Sequence, residues 1–130
     1  MKEIQLPNID YPVGQIEDIH LYFMHYNSFA EAKSAWERRA ERVNLDNAFL
    51  VMTDKNSCAY EHIKQFDELP YKNKVIFTHK KYPEFKSAYY IPGFEDQDEV
   101  GILSDWKPQL LRRRWLDNFD YVSFFNQKNN

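Results

Sequence analysis

Two short apolar runs separated by an amphipathic stretch constrain the fold of this chain more than any other feature: residues 19–24 (IHLYFM), a helical pattern over 28–43, and residues 48–52 (AFLVM). Both runs are dense in β-formers and nearly continuous in bulky residues, the mark of strands covered on both faces. Ser28 with Glu31 three residues later is a capping-box pattern, in which side chains satisfy N–H groups that the first helical turn leaves unpaired, so the helix is expected to start at or just after Ser28. Phe29, Ala32, Trp36, Ala40 and Val43 repeat at helical spacing as one apolar stripe, with Trp36 as a core residue. A strand, a crossover helix and a strand of these lengths predict a parallel pair with a right-handed connection, the first strand being central.

The alternation continues. Residues 54–57 form a polar turn, Ile63, Phe66 and Leu69 fall at helical spacing, Pro70 stops that helix, and residues 74–78 (KVIFT) read as a third strand. Before the unit, Ile4 and Leu6 suggest an edge strand followed by a loop. After it, residues 87–91 and 100–103 look like short strands around the acidic stretch 93–101, residues 118–126 fit a short C-terminal helix, and residues 127–130 are expected to fray. The expected fold class is therefore α/β: one domain over residues 1–130, three-layered, with a mainly parallel sheet built β-α-β-α-β, an added hairpin and a short C-terminal helix.

Composition narrows the function. A net charge of −3 provides no global field for nucleic acid or an anionic membrane, and Cys58, the only cysteine, cannot form an intrachain disulfide. With no apolar run near the roughly 20 residues that a membrane span requires, and no secretory leader pattern in the first thirty residues, a cytoplasmic protein is expected.

In an open parallel sheet, ligands bind where loops leave the carboxyl ends of the strands. Here those exits carry His25, Tyr26, Asn27 and Ser28; Thr53, Asp54, Lys55 and Asn56; and His79, Lys80 and Lys81. His25 and His79 are candidate general bases, with Asp54 to orient one of them. Asn27, Asn56 and Lys80, with Arg38 and Arg39, are candidate ligand contacts. The bland alternative is that loops are polar in any fold, and that Asp54, Asn56 and Ser57 merely cap the second helix. Cys58 and His62, four apart on one helical face, lack a second ligand pair for a metal. Asp96-Gln97-Asp98 has the carboxylate-x-carboxylate form of a metal grip but reads as a charged turn, and Arg112 to Arg114 beside Trp115 read as a solvated, partly stacked face. No metal or cofactor is expected, and no glycine-rich phosphate loop, GxSxG, HExxH or CxxC occurs.

The stretches YPVGQIEDIHLYFMHY (11–26), SFAEAKSAWERR (28–39), VMTD (51–54), FDELPYKNKVIFTHKKYPEFKSAYYIPGFEDQDEVG (66–101) and NFDYV (118–122) resemble the bacterial domain-of-unknown-function 1919 family, whose members are often labelled exopolysaccharide-biosynthesis proteins. The resemblance implies a three-layer α/β fold and a surface-polysaccharide setting, with no assigned reaction. Family members usually carry an earlier segment with an asparagine-, cysteine-, tryptophan- and glycine-rich motif. This chain begins after it, so it is expected to correspond to the C-terminal part of the full domain, with a sheet edge exposed and a homodimer as the consequence. Two functions follow as expectations: a protein acting as a transferase on a sugar or nucleotide sugar, or a non-catalytic module docked on a polysaccharide-synthesis enzyme.

Overall fold

The computed structural model describes residues 1–108 and 112–127, so of the residues expected to fray, 127–130, all but the first lie outside the described residues. The chain divides into two compact units, Met1–Asn44 and Leu45–Asn130.

The first unit is an antiparallel sheet and a helix. Strands β1 (Lys2–Ile4), β2 (Val13–Ile16) and β3 (Ile19–Tyr22) lie in the order β1-β2-β3. The β2–β3 hairpin turns on Glu17 and Asp18, with Glu17 in the left-handed region at φ 54. Helix α1 (Phe29–Ala40) starts where the capping pattern puts it, the Glu31 N–H donating to Ser28 Oγ at 3.3 Å. Its buried residues are Ala32 and Ala35, whereas Trp36 packs edge-on against Phe23 and is 40% exposed, so it is not the core residue the stripe suggested.

The expected parallel pair across residues 18–54 does not form. β3 pairs antiparallel with β2 and is an edge strand, with Ile19 and Tyr22 exposed, so the first sheet is not part of a mainly parallel one. Hairpin pairing with a neighbour two residues away satisfies the backbone at smaller loop-closure cost than a crossover through a 12-residue helix.

The second unit carries the parallel architecture. Strands β4 (Phe49–Thr53), β5 (Asn73–Thr78) and β6 (Ala88–Tyr90) run parallel in the order β4-β5-β6, with α2 (Tyr60–Glu68) connecting the first two. β6 extends this sheet in parallel and is not one arm of a hairpin. Residues 100–103, expected as the other arm, form no strand. Side chains of β5 alternate between two cores. Ile76 packs with Ile63 and Phe66 of α2, while Val75 and Phe77 pack with Ile91, Phe94, Val100 and Phe124 on the opposite face. Phe124 comes from the expected C-terminal helix, α3 (Tyr121–Phe125), capped by Asp120, whose carboxylate accepts from the Ser123 N–H at 2.9 Å. The Ser87 N–H and hydroxyl donate to Asp67 Oδ1 at 2.8 and 2.7 Å, tying the start of β6 to the end of α2. Burial opposes the charge on Asp67, but the Ser87 hydroxyl and amide, helped by Lys74 and Lys86, hold its carboxyl below the usual range.

Gly93 has φ 110, and a Cβ placed there would run into the Trp115 indole. Trp115 in turn stacks on Phe94 at 4.4 Å between ring centres. Gly93→Ala therefore combines backbone strain with overpacking, and the urea midpoint is expected to fall by the equivalent of about 2–4 kcal/mol. A midpoint within experimental error of wild type would show that Trp115 is free to move aside.

Candidate functional site

The site grows from the end of β4. The backbone ladder continues one step past the strand, the Asp54 N–H donating to Phe77 O at 3.1 Å, which fixes the Asp54 side chain over the carboxyl end of β5. There the carboxylate is 2% exposed and accepts from three directions. Oδ2 takes the His79 N–H at 2.8 Å and contacts His79 Nδ1, while Oδ1 takes the Val100 N–H at 2.8 Å. The turn that presents His79 is closed by Thr78, whose buried hydroxyl donates to Lys80 O at 2.7 Å.

A buried carboxyl group is tolerated only when it finds hydrogen-bond partners, and here it has three. It also dictates the imidazole: a carboxylate is an acceptor only, so Nδ1 must carry the proton. His79 is itself 7% exposed. Among the described residues Nε2 has no hydrogen-bond partner, yet none of their buried side-chain nitrogens or oxygens lacks one. Nε2 is therefore not fully enclosed. An imidazole held by a carboxylate through Nδ1–H, with Nε2 left unpaired, is the arrangement by which a general base is oriented.

The surrounding loop is tightly shaped. Asn56 and Ser57 are both in the left-handed region, at φ 59 and 63, and the Asn56 N–H donates to Glu99 Oε2 at 3.2 Å. The acidic stretch thus docks on the β4 exit through Glu99 and Val100, while residues 95–98, including Asp96-Gln97-Asp98, are exposed. Capping of α2 does not fall to Asp54, Asn56 or Ser57 as the bland reading had it. The N-cap is Ala59, whose N–H donates to His62 Nδ1 at 2.9 Å.

Cys58 packs against the Ile63–Phe66–Ile76 core, and burial, reinforced by the Asp54 charge, pushes its thiol up. A thiolate is the reactive form, so Cys58 is a poor nucleophile at neutral pH. Its alkylation by iodoacetamide is expected to be slower than that of free cysteine at pH 7.5 and to reach half its limiting rate at a pH above the ordinary thiol value of about 8.5. A rate matching or exceeding free cysteine at pH 7.5 would contradict this placement.

Of the residues singled out in the sequence, Asp54, Asn56, His79 and Lys80 lie together in the second unit, Lys80 with an exposed side chain. His25, Asn27, Arg38 and Arg39 belong to the first unit. His25 and Asn27 are exposed in the loop between β3 and α1, and Arg38 and Arg39 sit in the last turn of α1. Arg39 borders a cavity of about 250 Å³ with Trp36, Tyr26 and Tyr22. Arg114 stacks on Trp106 at 4.9 Å, so the arginine run is indeed partly stacked, on a different indole from the one adjacent in sequence. Among the described residues no group of three His, Cys, Asp or Glu is placed to hold a metal, and no helix is long and apolar enough to cross a membrane.

Sequence reasoning missed Val100, Glu99, Tyr60, Tyr82 and Glu84. The Tyr60 hydroxyl donates to Glu84 at 3.1 Å, and Tyr60 stacks beside Tyr82 and Phe85. No local pattern announces them, since each pairing spans twenty or more residues.

No solved structure matches the chain. A protein of Haemophilus influenzae described as uncharacterized is 50% identical over 119 residues, which is 89% of this chain and 56% of that relative, so the chain spans little more than half the relative's length. The model of a family described as "Domain of unknown function (DUF1919)" matches residues 1–126, and on that match this chain belongs to the DUF1919 family.

Proposed function

We propose that this chain forms part of a bacterial, cytoplasmic enzyme of surface-polysaccharide biosynthesis that transfers a group to or from a sugar, with a nucleotide sugar as the natural donor. His79 is the general base and Asp54 the carboxylate that orients it. The observation that carries this reading is the buried Asp54–His79 pair at the carboxyl end of two parallel strands, with Nδ1 on the carboxylate and Nε2 not fully enclosed. In the proposed step Nε2 takes the proton of the acceptor sugar's hydroxyl as that oxygen bonds to the anomeric carbon of the nucleotide sugar; the bond from that carbon to the phosphate oxygen breaks, the nucleoside phosphate leaves with the electron pair, and the imidazolium is stabilised by the carboxylate behind it. The reading rests on the second unit alone.

The test is a panel of UDP-, GDP- and CMP-sugars with monosaccharide acceptors, run with and without magnesium, following release of the nucleoside phosphate. Release that depends on an acceptor and disappears in His79→Gln is expected. Release from no member of the panel, or release unchanged in the variant, overturns the assignment.

A second reading, a non-catalytic module that self-associates or docks on a synthesis enzyme, is favoured by one observation. β3 is an edge strand, and Ile19, Tyr22 and Met24 on and just beyond it are exposed. Light scattering at micromolar concentration decides between a dimer, which this reading requires for self-association through that edge, and a monodisperse monomer.

A further inference from the structure

Helix α2 and the segment after β5 bring together a group of rings that the Asp54–His79 pair does not use. Tyr60, the first residue of α2, is 51% exposed, with its ring centre 5.2 Å from Phe85 and 6.0 Å from Tyr82. Tyr82 and Phe85 are tilted only 31° from one another, and their inner edges rest on the Ile63–Phe66–Ile76 core. The shelf is therefore held from behind while part of it faces solvent. Glu84 lies between these rings in sequence and is anchored at their rim by the Tyr60 hydroxyl at 3.1 Å, its carboxylate otherwise exposed.

The shelf follows the pair closely in the chain. Tyr82 follows His79 by three residues, and Cys58, which heads α2, packs on the same core as Tyr82. Burial pushes the Tyr82 hydroxyl up, and the charges of Asp54, Cys58 and Glu84 push it further, as a phenol placed between the buried carboxylate and the rim carboxylate would experience.

A pyranose matches this surface in two respects. One face of the ring is a sheet of C–H bonds that packs on aromatic carbon, and its edge is a row of hydroxyls that a carboxylate can accept from. We propose that Tyr60, Tyr82 and Phe85, with Glu84 at their rim, form the subsite that holds the pyranose ring presented to His79. The role of His79 is taken from the preceding reading, whereas binding to the shelf stands on the shelf's own geometry.

The test titrates four methyl pyranosides (β-glucoside, β-galactoside, α-mannoside and N-acetyl-β-glucosaminide) and UDP against the intact chain, by saturation-transfer NMR. Expected is binding of at least one glycoside, with saturation concentrated on the C–H groups of one ring face. Tyr60→Ala should weaken it tenfold or more, Glu84→Gln at least threefold, and Tyr60→Phe less than threefold. Tyr60→Leu keeps apolar packing on Phe85 while removing the ring, and should behave as Tyr60→Ala does, which guards against a folding artefact. Binding of no glycoside, binding unaffected by Tyr60→Ala or Tyr60→Leu, or preferential binding of UDP to the shelf overturns the subsite even if His79→Gln abolishes turnover. Conversely, glycoside binding that needs Tyr60 alongside turnover indifferent to His79 sinks the catalytic reading and leaves the subsite standing.

Discussion

Asp54→Ala is expected to destabilise the second unit by about 3–5 kcal/mol, seen as a large fall in the urea midpoint. The magnitude follows from what the substitution leaves behind. The His79 N–H, His79 Nδ1–H and the Val100 N–H all point at the same buried carboxylate, and an alanine would leave all three without an acceptor in a place water reaches poorly. The loss would also be structural over distance, because Val100 is buried among Phe77, Phe94 and Ile91, and its N–H bond to Asp54 registers the acidic stretch against the sheet. Asp54→Asn should cost less, about 1–3 kcal/mol, since one oxygen still accepts while the amide NH₂ faces a donor. A loss under 1 kcal/mol in Asp54→Ala would mean that water replaces the carboxylate without difficulty and that the site is looser than its geometry.

The second large effect is on the turnover proposed above. His79→Gln should lower kcat by about 10²–10⁴ while leaving the urea midpoint near wild type. The glutamine backbone keeps the N–H bond to Asp54, and its side-chain NH₂ can still donate to that carboxylate, so folding loses little; what disappears is a nitrogen able to take and return a proton. Asp54→Asn should reach a comparable kcat loss by another route. An amide NH₂ facing Nδ1 makes that nitrogen the acceptor and moves the imidazole proton to Nε2, which then cannot act as a base. Similar kcat losses with different stability losses are the signature to look for. If Asp54→Asn retained full turnover, the carboxylate would be a structural clamp and nothing more.

The parts of this architecture that were legible in the sequence are those set by local periodicity. Ser28 caps α1, Ile63 and Phe66 face the core from α2, and β4-α2-β5 forms the parallel unit expected of it. The link between β3 and β4 was misread because a strand run says nothing of its partner, and the turn at Glu17–Asp18 lacks the glycine or asparagine that usually signals a hairpin. β6 reads as a hairpin arm for the same reason: SAYYI fits a strand of either direction, and its parallel register with Ile76 to Thr78 is a tertiary fact. At the site, the convergence of Asp54 and His79 was anticipated from strand ends, since in a parallel sheet neighbouring strands deliver their exits to one edge. His25 was grouped with them on the assumption that β3 belonged to that sheet, and it does not. The third donor to Asp54 could not be anticipated, because Val100 lies 46 residues away and offers only its backbone.

The role proposed for His79 requires that Asp54 fix its ring proton on Nδ1 and leave Nε2 for chemistry. Long-range ¹H–¹⁵N correlation spectroscopy of the His79 ring at neutral pH tests it most directly. Expected is a protonated Nδ1 with a slowly exchanging, strongly deshielded proton that vanishes in Asp54→Ala, together with an Nε2 resonance that responds to solvent. An unprotonated Nδ1 with the proton on Nε2 would contradict the pairing, and with it the role assigned to His79.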